Sequence, residues 1–193
     1  LKPDYAEALN NLGTAYRELG KLEDALSSYR QALTLKPNYV EAHSNLGVVL
    51  QDLGKPEEAL ASYRTALALQ PNYMEAHHNL GRTFGQLGKL KQAMASYRKA
   101  LAINPDFPEA LQNYGILLIS LGRWDEAFAC LDRRLELVRG ENPVDPSLSS
   151  FRLITKVKIK HDIEQFRYLE NLGSNADQMG QLARTYVNLD QEI

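Results

Sequence analysis

Apolar residues recur along this chain at the three- and four-residue spacing of a helix with one buried face. Leu9, Leu12 and Tyr16 form the first such stripe, which stops at Gly20. A second helical stretch follows and ends before Pro37, because the residue preceding a proline is pushed out of helical geometry. The same alternation of two helices and a break continues to about residue 138. Beyond it, Phe151, Ile154, Val157, Ile163, Phe166 and Leu169 predict one long amphipathic helix to about Leu172, broken by "GSN" at 173–175. Residues 176–189 then read as a shorter helix. Helices alone are expected, so the fold class is all-α.

The pattern is a strict repeat. Pro3, Pro37, Pro71 and Pro105 stand 34 residues apart without insertion or deletion. Gly13, Gly47, Gly81 and Gly115 keep this register, as do Gly20, Gly54, Gly88 and Gly122, and Ala25, Ala59, Ala93 and Ala127. Tyr29, Tyr63 and Tyr97 make a further column that changes to Leu131. After each proline an Asp or Asn precedes a Glu by three residues: Asp4/Glu7, Asn38/Glu41, Asn72/Glu75 and Asp106/Glu109. This spacing predicts a capping box opening each first helix. Gly20 and its equivalents suit the left-handed residue that closes a helix. Glu23 and Asp24, then Glu57 and Glu58, favour the dipole in the first turn of the second helix. Gly13, Ala25 and Ala32 leave room for close helix approach. Each unit is therefore helix–turn–helix, and units must stack because one pair cannot bury its own face.

A 34-residue unit carrying Leu12-Gly13, Tyr16, Ala25, Tyr29, Ala32 and Pro37 resembles the tetratricopeptide repeat. The resemblance covers residues 3–138. It implies a right-handed α-solenoid of antiparallel helix pairs, whose first helices line a concave groove that holds a peptide or partner protein.

The expected organisation is four tandem units over 1–138 (3–36, 37–70, 71–104 and 105–138), a loop at 139–148 and a C-terminal helical extension or cap at 149–193. Leu1-Lys2-Pro3 matches Leu35-Lys36-Pro37, the close of a unit, so at least one more repeat is expected upstream. At the other end Arg134 replaces the small Ala of earlier units, and Arg139 stands where the next proline would be. The helices after the loop are expected to cover the open end of the array.

Charge is balanced: residues 1–138 hold 15 Lys and Arg against 16 Asp and Glu, and the whole chain is −2. A nucleic-acid partner usually demands a basic face, so none is expected. No apolar run approaches the roughly 20 residues of a membrane span. The lone Cys130 excludes an internal disulfide and a cysteine zinc cage, and fits a reducing, cytoplasmic setting. No phosphate loop, nucleophile elbow or metal motif occurs, so no cofactor, no metal and no catalysis are expected.

Four asparagines, Asn11, Asn45, Asn79 and Asn113, recur at one first-helix position although asparagine is a poor helix former. A side-chain amide both donates and accepts, so a row of them can read a peptide backbone. This is similar to the asparagine ladder of O-linked N-acetylglucosamine transferases, which holds extended polypeptide, and the resemblance places the row on the concave face. Beside it run two varied rows, Asn10, Ser44, His78 and Gln112, and Thr14, Val48, Arg82 and Ile116, where selectivity would be written. The family's carboxylate clamp needs a lysine where Asn10 stands, so gripping of chain termini by that clamp is not expected. His43 and His77 take a packing position filled by Leu9 and Leu111, without partners at ligand spacing, and read as packing residues rather than zinc ligands. Trp124 and Cys130 read as core. His161-Asp162 lacks the other ligands of a metal dyad, and Arg152, Lys156, Lys158 and Lys160 read as a solvated helix face.

The expected function is an interaction scaffold that binds an extended peptide or partner protein. Two alternatives are the substrate-recruiting region of a larger enzyme, for example a glycosyltransferase, and a protein that self-associates as a homo-oligomer through its exposed N-terminal end.

Overall fold

The computed structural model describes residues 3–138. The expected loop at 139–148, the cap at 149–193, the side chain of Trp124, the His161-Asp162 pair and the basic residues Arg152, Lys156, Lys158 and Lys160 lie outside the described residues. Eight helices fill the described part: α1 Pro3–Glu18, α2 Leu22–Leu35, α3 Val40–Asp52, α4 Pro56–Leu69, α5 Met74–Gln86, α6 Leu90–Ile103, α7 Pro108–Ser120 and α8 Trp124–Val138. No strand occurs among the described residues. The chain divides into two compact units, one through Pro105 and one from Asp106. In the first, α1 packs on α2, α3 on α4 and α5 on α6, while α2 and α4 each also pack on the first helix of the next pair. The second unit pairs α7 with α8. This is the helix-pair stack of an α-solenoid.

The glycine columns act in two ways. Gly20 has φ +72°, and its N–H donates to the Arg17 carbonyl at 2.9 Å while the Lys21 N–H donates to the Tyr16 carbonyl at 2.8 Å. That bond pair is the Schellman closure, which needs a left-handed residue and so favours glycine. The Lys21 ammonium lies 5.9 Å from the Tyr16 ring centre, a cation held on an aromatic face beside the closure. Gly47 serves packing instead. A Cβ there would lie 2.5 Å from Cε1 of Tyr63, so α3 and α4 meet with the tyrosine ring seated on bare backbone. Gly13 meets Tyr29 and Gly81 meets Tyr97 in the same manner, and Gly115 meets Leu131. Two columns that look independent in the sequence are thus partners across each helix pair. Tyr29 and Tyr63 are 0% exposed, the largest fully buried side chains among the described residues.

The capping boxes do not form as expected at α3 and α5. These helices start one residue late, with Tyr39 and Tyr73 at the N-cap and no side-chain cap bond. Asn38 and Asn72 lie instead in a tight turn, closed by Tyr39 N–H to the Lys36 carbonyl and Tyr73 N–H to the Gln70 carbonyl, both 3.1 Å. Proline followed by Asn is well suited to the middle of such a turn, and the turn outcompetes the cap. At α7 the N-cap is Phe107, again without a side-chain cap bond. Asp106 instead accepts two bonds from Arg133 of α8, at 2.7 and 2.9 Å, and this guanidinium holds the Asp106 carboxyl below its usual range.

Candidate functional site

The first helices α1, α3 and α5 lie side by side within the first unit, and polar side chains join them. Asn45 Nδ2–H donates to Asn10 Oδ1 at 3.0 Å, linking α3 to α1. Asn10 is 6% exposed, so this bond satisfies a buried acceptor. One Nδ2 hydrogen and the Oδ1 lone pairs of the partly buried Asn45 are left over. Asn79 on α5 is partly exposed and its side-chain amide makes no hydrogen bond among the described residues, while Asn11 on α1 is exposed. In the second unit, Asn113 and Gln112 are partly buried on α7.

The first varied row does not lie on the surface. Asn10, Ser44 and His78 are 6%, 3% and 8% exposed, and the His78 ring sits 6.0 Å from that of Tyr97. The helix turns this row inward: Asn10 lies against Asn45 of α3, and His78 faces Tyr97 of α6. The second row, Thr14, Val48, Arg82 and Ile116, is partly exposed.

That row touches the buried tyrosines. Thr14 Oγ1 and the Tyr29 hydroxyl are 3.0 Å apart, giving the tyrosine a partner within its own pair. Val48 offers none to Tyr63. Gln51, one turn later on α3, takes over: its Oε1 accepts from the Tyr63 hydroxyl at 3.3 Å and from Arg82 Nη2 at 3.0 Å. Its Nε2–H donates to Gln86 Oε1 at 2.6 Å. Burial pushes the hydroxyls of Tyr63 and Tyr97 well above the usual tyrosine range, and the charge of Arg82 opposes that shift at both. Gln51 is 8% exposed and joins α3, α4 and α5, yet the sequence reading passed over it. The available signal was Val48, a row member unable to bond the tyrosine hydroxyl.

His43 and His77 are turn locks. Their Nε2–H groups donate to the Pro37 and Pro71 carbonyls, at 2.8 and 2.9 Å, which ties each helix start to the turn before it. A carbonyl only accepts, so Nε2 must carry the proton. His77 is 8% exposed, and burial lowers its pKa, aided by the charge of Lys99 and opposed by the bond to Pro71. The unfolded chain therefore binds a proton more readily than the folded one. The stability that neutral His77 contributes is complete above the unfolded value of about 6.5 and is lost as pH falls toward the lower folded value. His77→Leu, the residue type at positions 9 and 111, is expected to flatten the pH dependence of the urea midpoint below about pH 6.5. An unchanged slope would remove His77 as its source.

Among the described residues no three His, Cys, Asp or Glu side chains gather at metal-binding distance, and no helix is long and apolar enough to cross a membrane. Burial raises the Cys130 thiol pKa, which makes it a poor nucleophile.

Family profiles described as tetratricopeptide repeats match residues 13–54, 38–106 and 86–144. Residues 13–144 belong to the tetratricopeptide-repeat family. Among solved structures, a MamA crystal structure is 28% identical with a TM-score of 0.63, covering 72% of this chain and 81% of that one. The first tetratricopeptide-repeat domain of Spaghetti (RPAP3), bound to an HSP90 peptide SRMEEVD, is 24% identical with a TM-score of 0.60, covering 63% of this chain and 96% of that one. A Thermobaculum terrenum O-GlcNAc transferase mutant is 22% identical with a TM-score of 0.64, covering 68% of this chain but only 26% of the transferase. No curated relative matches the chain significantly. Tetratricopeptide repeats are interaction modules, and the array here is a scaffold of that kind.

Proposed function

We propose that the face formed by α1, α3 and α5 holds an extended segment of a partner protein, with Asn11, Asn45 and Asn79 bonding its backbone, and that the chain is a non-catalytic adaptor of the cytoplasm. The observation that carries the reading is Asn79, a partly exposed side-chain amide with no partner among the described residues. Its neighbour Asn45 is anchored to Asn10 yet keeps bonding capacity. The Spaghetti domain, which shares this fold, holds a peptide.

The test is panning of a random peptide library against wild type and Asn79→Ala. Asn45→Ala is the poorer variant, because it strands the buried Asn10 oxygen at a cost of about 1–3 kcal/mol. Asn79→Ala should leave stability within about 0.5 kcal/mol and weaken selected peptides by about 0.5–1.5 kcal/mol, the worth of a neutral hydrogen bond. Equal affinity for both proteins would sink the ladder.

A second reading, self-association, draws on α1. Tyr5, Leu12 and Leu19 are 63%, 42% and 71% exposed along one face, whereas their counterparts Tyr39, Leu46 and Leu53 are partly buried against α2 and its neighbours. Absence of any enriched peptide, with a mass that grows with concentration, would favour that reading. The likeness to the transferase leaves recruitment for a larger enzyme as an outcome for the full gene to decide.

A further inference from the structure

Arg82 departs from its row. Thr14, Val48 and Ile116 are uncharged, while Arg82 brings a guanidinium whose charge acts on the hydroxyls of both Tyr63 and Tyr97. Nη2 donates to Gln51 Oε1, a neutral acceptor already shared with Tyr63. Nε is buried and has no acceptor. No carboxylate pairs with Arg82 among the described residues. Asp52 also acts on Tyr63, opposed by Arg17, but it forms no ion pair with Arg82. A partly buried cation normally has a carboxylate or several acceptors around it, because desolvation is costly otherwise. Here α5 fixes a guanidinium where the protein supplies one shared amide oxygen.

The site of this deficit matters. Asn79 stands three residues before Arg82 on α5, so the ladder amide and the guanidinium lie on one helix face, neighbours at about 5–6 Å between Cβ atoms. The Nη groups are the ones a ligand can reach, since Nε is closed to solvent. Gln51, bonded in turn to Gln86, holds the guanidinium so that its planar fork is set before anything binds. A planar fork of N–H donors matches a carboxylate better than any neutral group.

We propose that Arg82 takes a carboxylate of the bound segment, so that the face selects an acidic residue beside the backbone unit read by Asn79. This rests on the peptide-binding reading and adds a chemical preference to it. The carboxylate is that of an Asp or Glu side chain within the segment.

Two random peptide libraries, identical except that one is C-terminally amidated, would be panned against the full chain and its Arg82→Gln and Arg82→Lys variants. Wild type is expected to enrich Asp or Glu at a fixed position from both libraries. Arg82→Gln, which keeps an N–H donor for Gln51, should lower that preference about tenfold while still capturing peptide. Arg82→Lys should retain part of it, and high salt should shrink the wild-type preference. Enrichment from the free-carboxyl library alone would place the carboxylate at a chain terminus and overturn the selection of an acidic residue. Should Arg82→Gln fail to fold, as read by helix content, the salt series on wild type decides, and a salt-insensitive preference overturns the proposal. Peptides enriched by wild type without acidic preference, or a preference that survives in Arg82→Gln, overturn the role of Arg82 and leave the peptide face standing. No enrichment by wild type overturns both.

Discussion

Tyr63→Ala is expected to destabilise the protein by about 3–5 kcal/mol, the range for removing a large aromatic side chain from a core. The ring is 0% exposed and sits on the bare backbone of Gly47, so truncation opens a cavity between α3 and α4 that rigid helix backbones cannot close. The loss has a polar part too. Without the hydroxyl, Gln51 Oε1 keeps only the bond from Arg82. Tyr63→Phe separates the two parts, since it keeps the ring and should cost about 0.5–1.5 kcal/mol. Urea unfolding followed by helix content measures both. A Tyr63→Ala loss no larger than that of Tyr63→Phe would show that the ring is not the anchor of the pair.

Gly47→Ala carries the next largest effect, about 1–3 kcal/mol of overpacking. Its sign is informative, because alanine is the better helix former by about 1 kcal/mol. Gly85 supplies the control. It too lies within a helix, but a Cβ there meets nothing within 4 Å. Gly85→Ala should therefore stabilise the protein by up to about 1 kcal/mol, opposite in sign to Gly47→Ala. In the Tyr63→Ala background the methyl at position 47 would enter vacated space, so the two losses should fall well short of additive. Additive losses would mean that Gly47 and Tyr63 do not share a contact.

Most of the fold was legible because its determinants repeat. A proline, a closing glycine, a bare glycine and a tyrosine at fixed spacing define helix ends and packing partners, and the structure places all of them where the periodicity requires. The misreadings arose where two local signals competed. Asn38 followed by Glu41 has the spacing of a capping box, yet Pro37-Asn38 is also a turn, and the turn won. Facing was harder to read than position. Asn10 and Asn11 are adjacent in sequence, but one is buried under α3 and the other exposed, a difference of one helical step. Gln51 was invisible for another reason. It answers a need created once, by valine at position 48, and a feature that does not recur leaves no column.

The helix contacts of the first unit are short in sequence. Each helix packs on its partner or on a helix of the adjoining pair, and no sizeable contact reaches further. Folding such a segment requires no meeting of distant chain stretches, so its contact order is low and its loop-closure cost small. Native packing can then begin while the chain is still being synthesised, each new pair closing onto the one made before it.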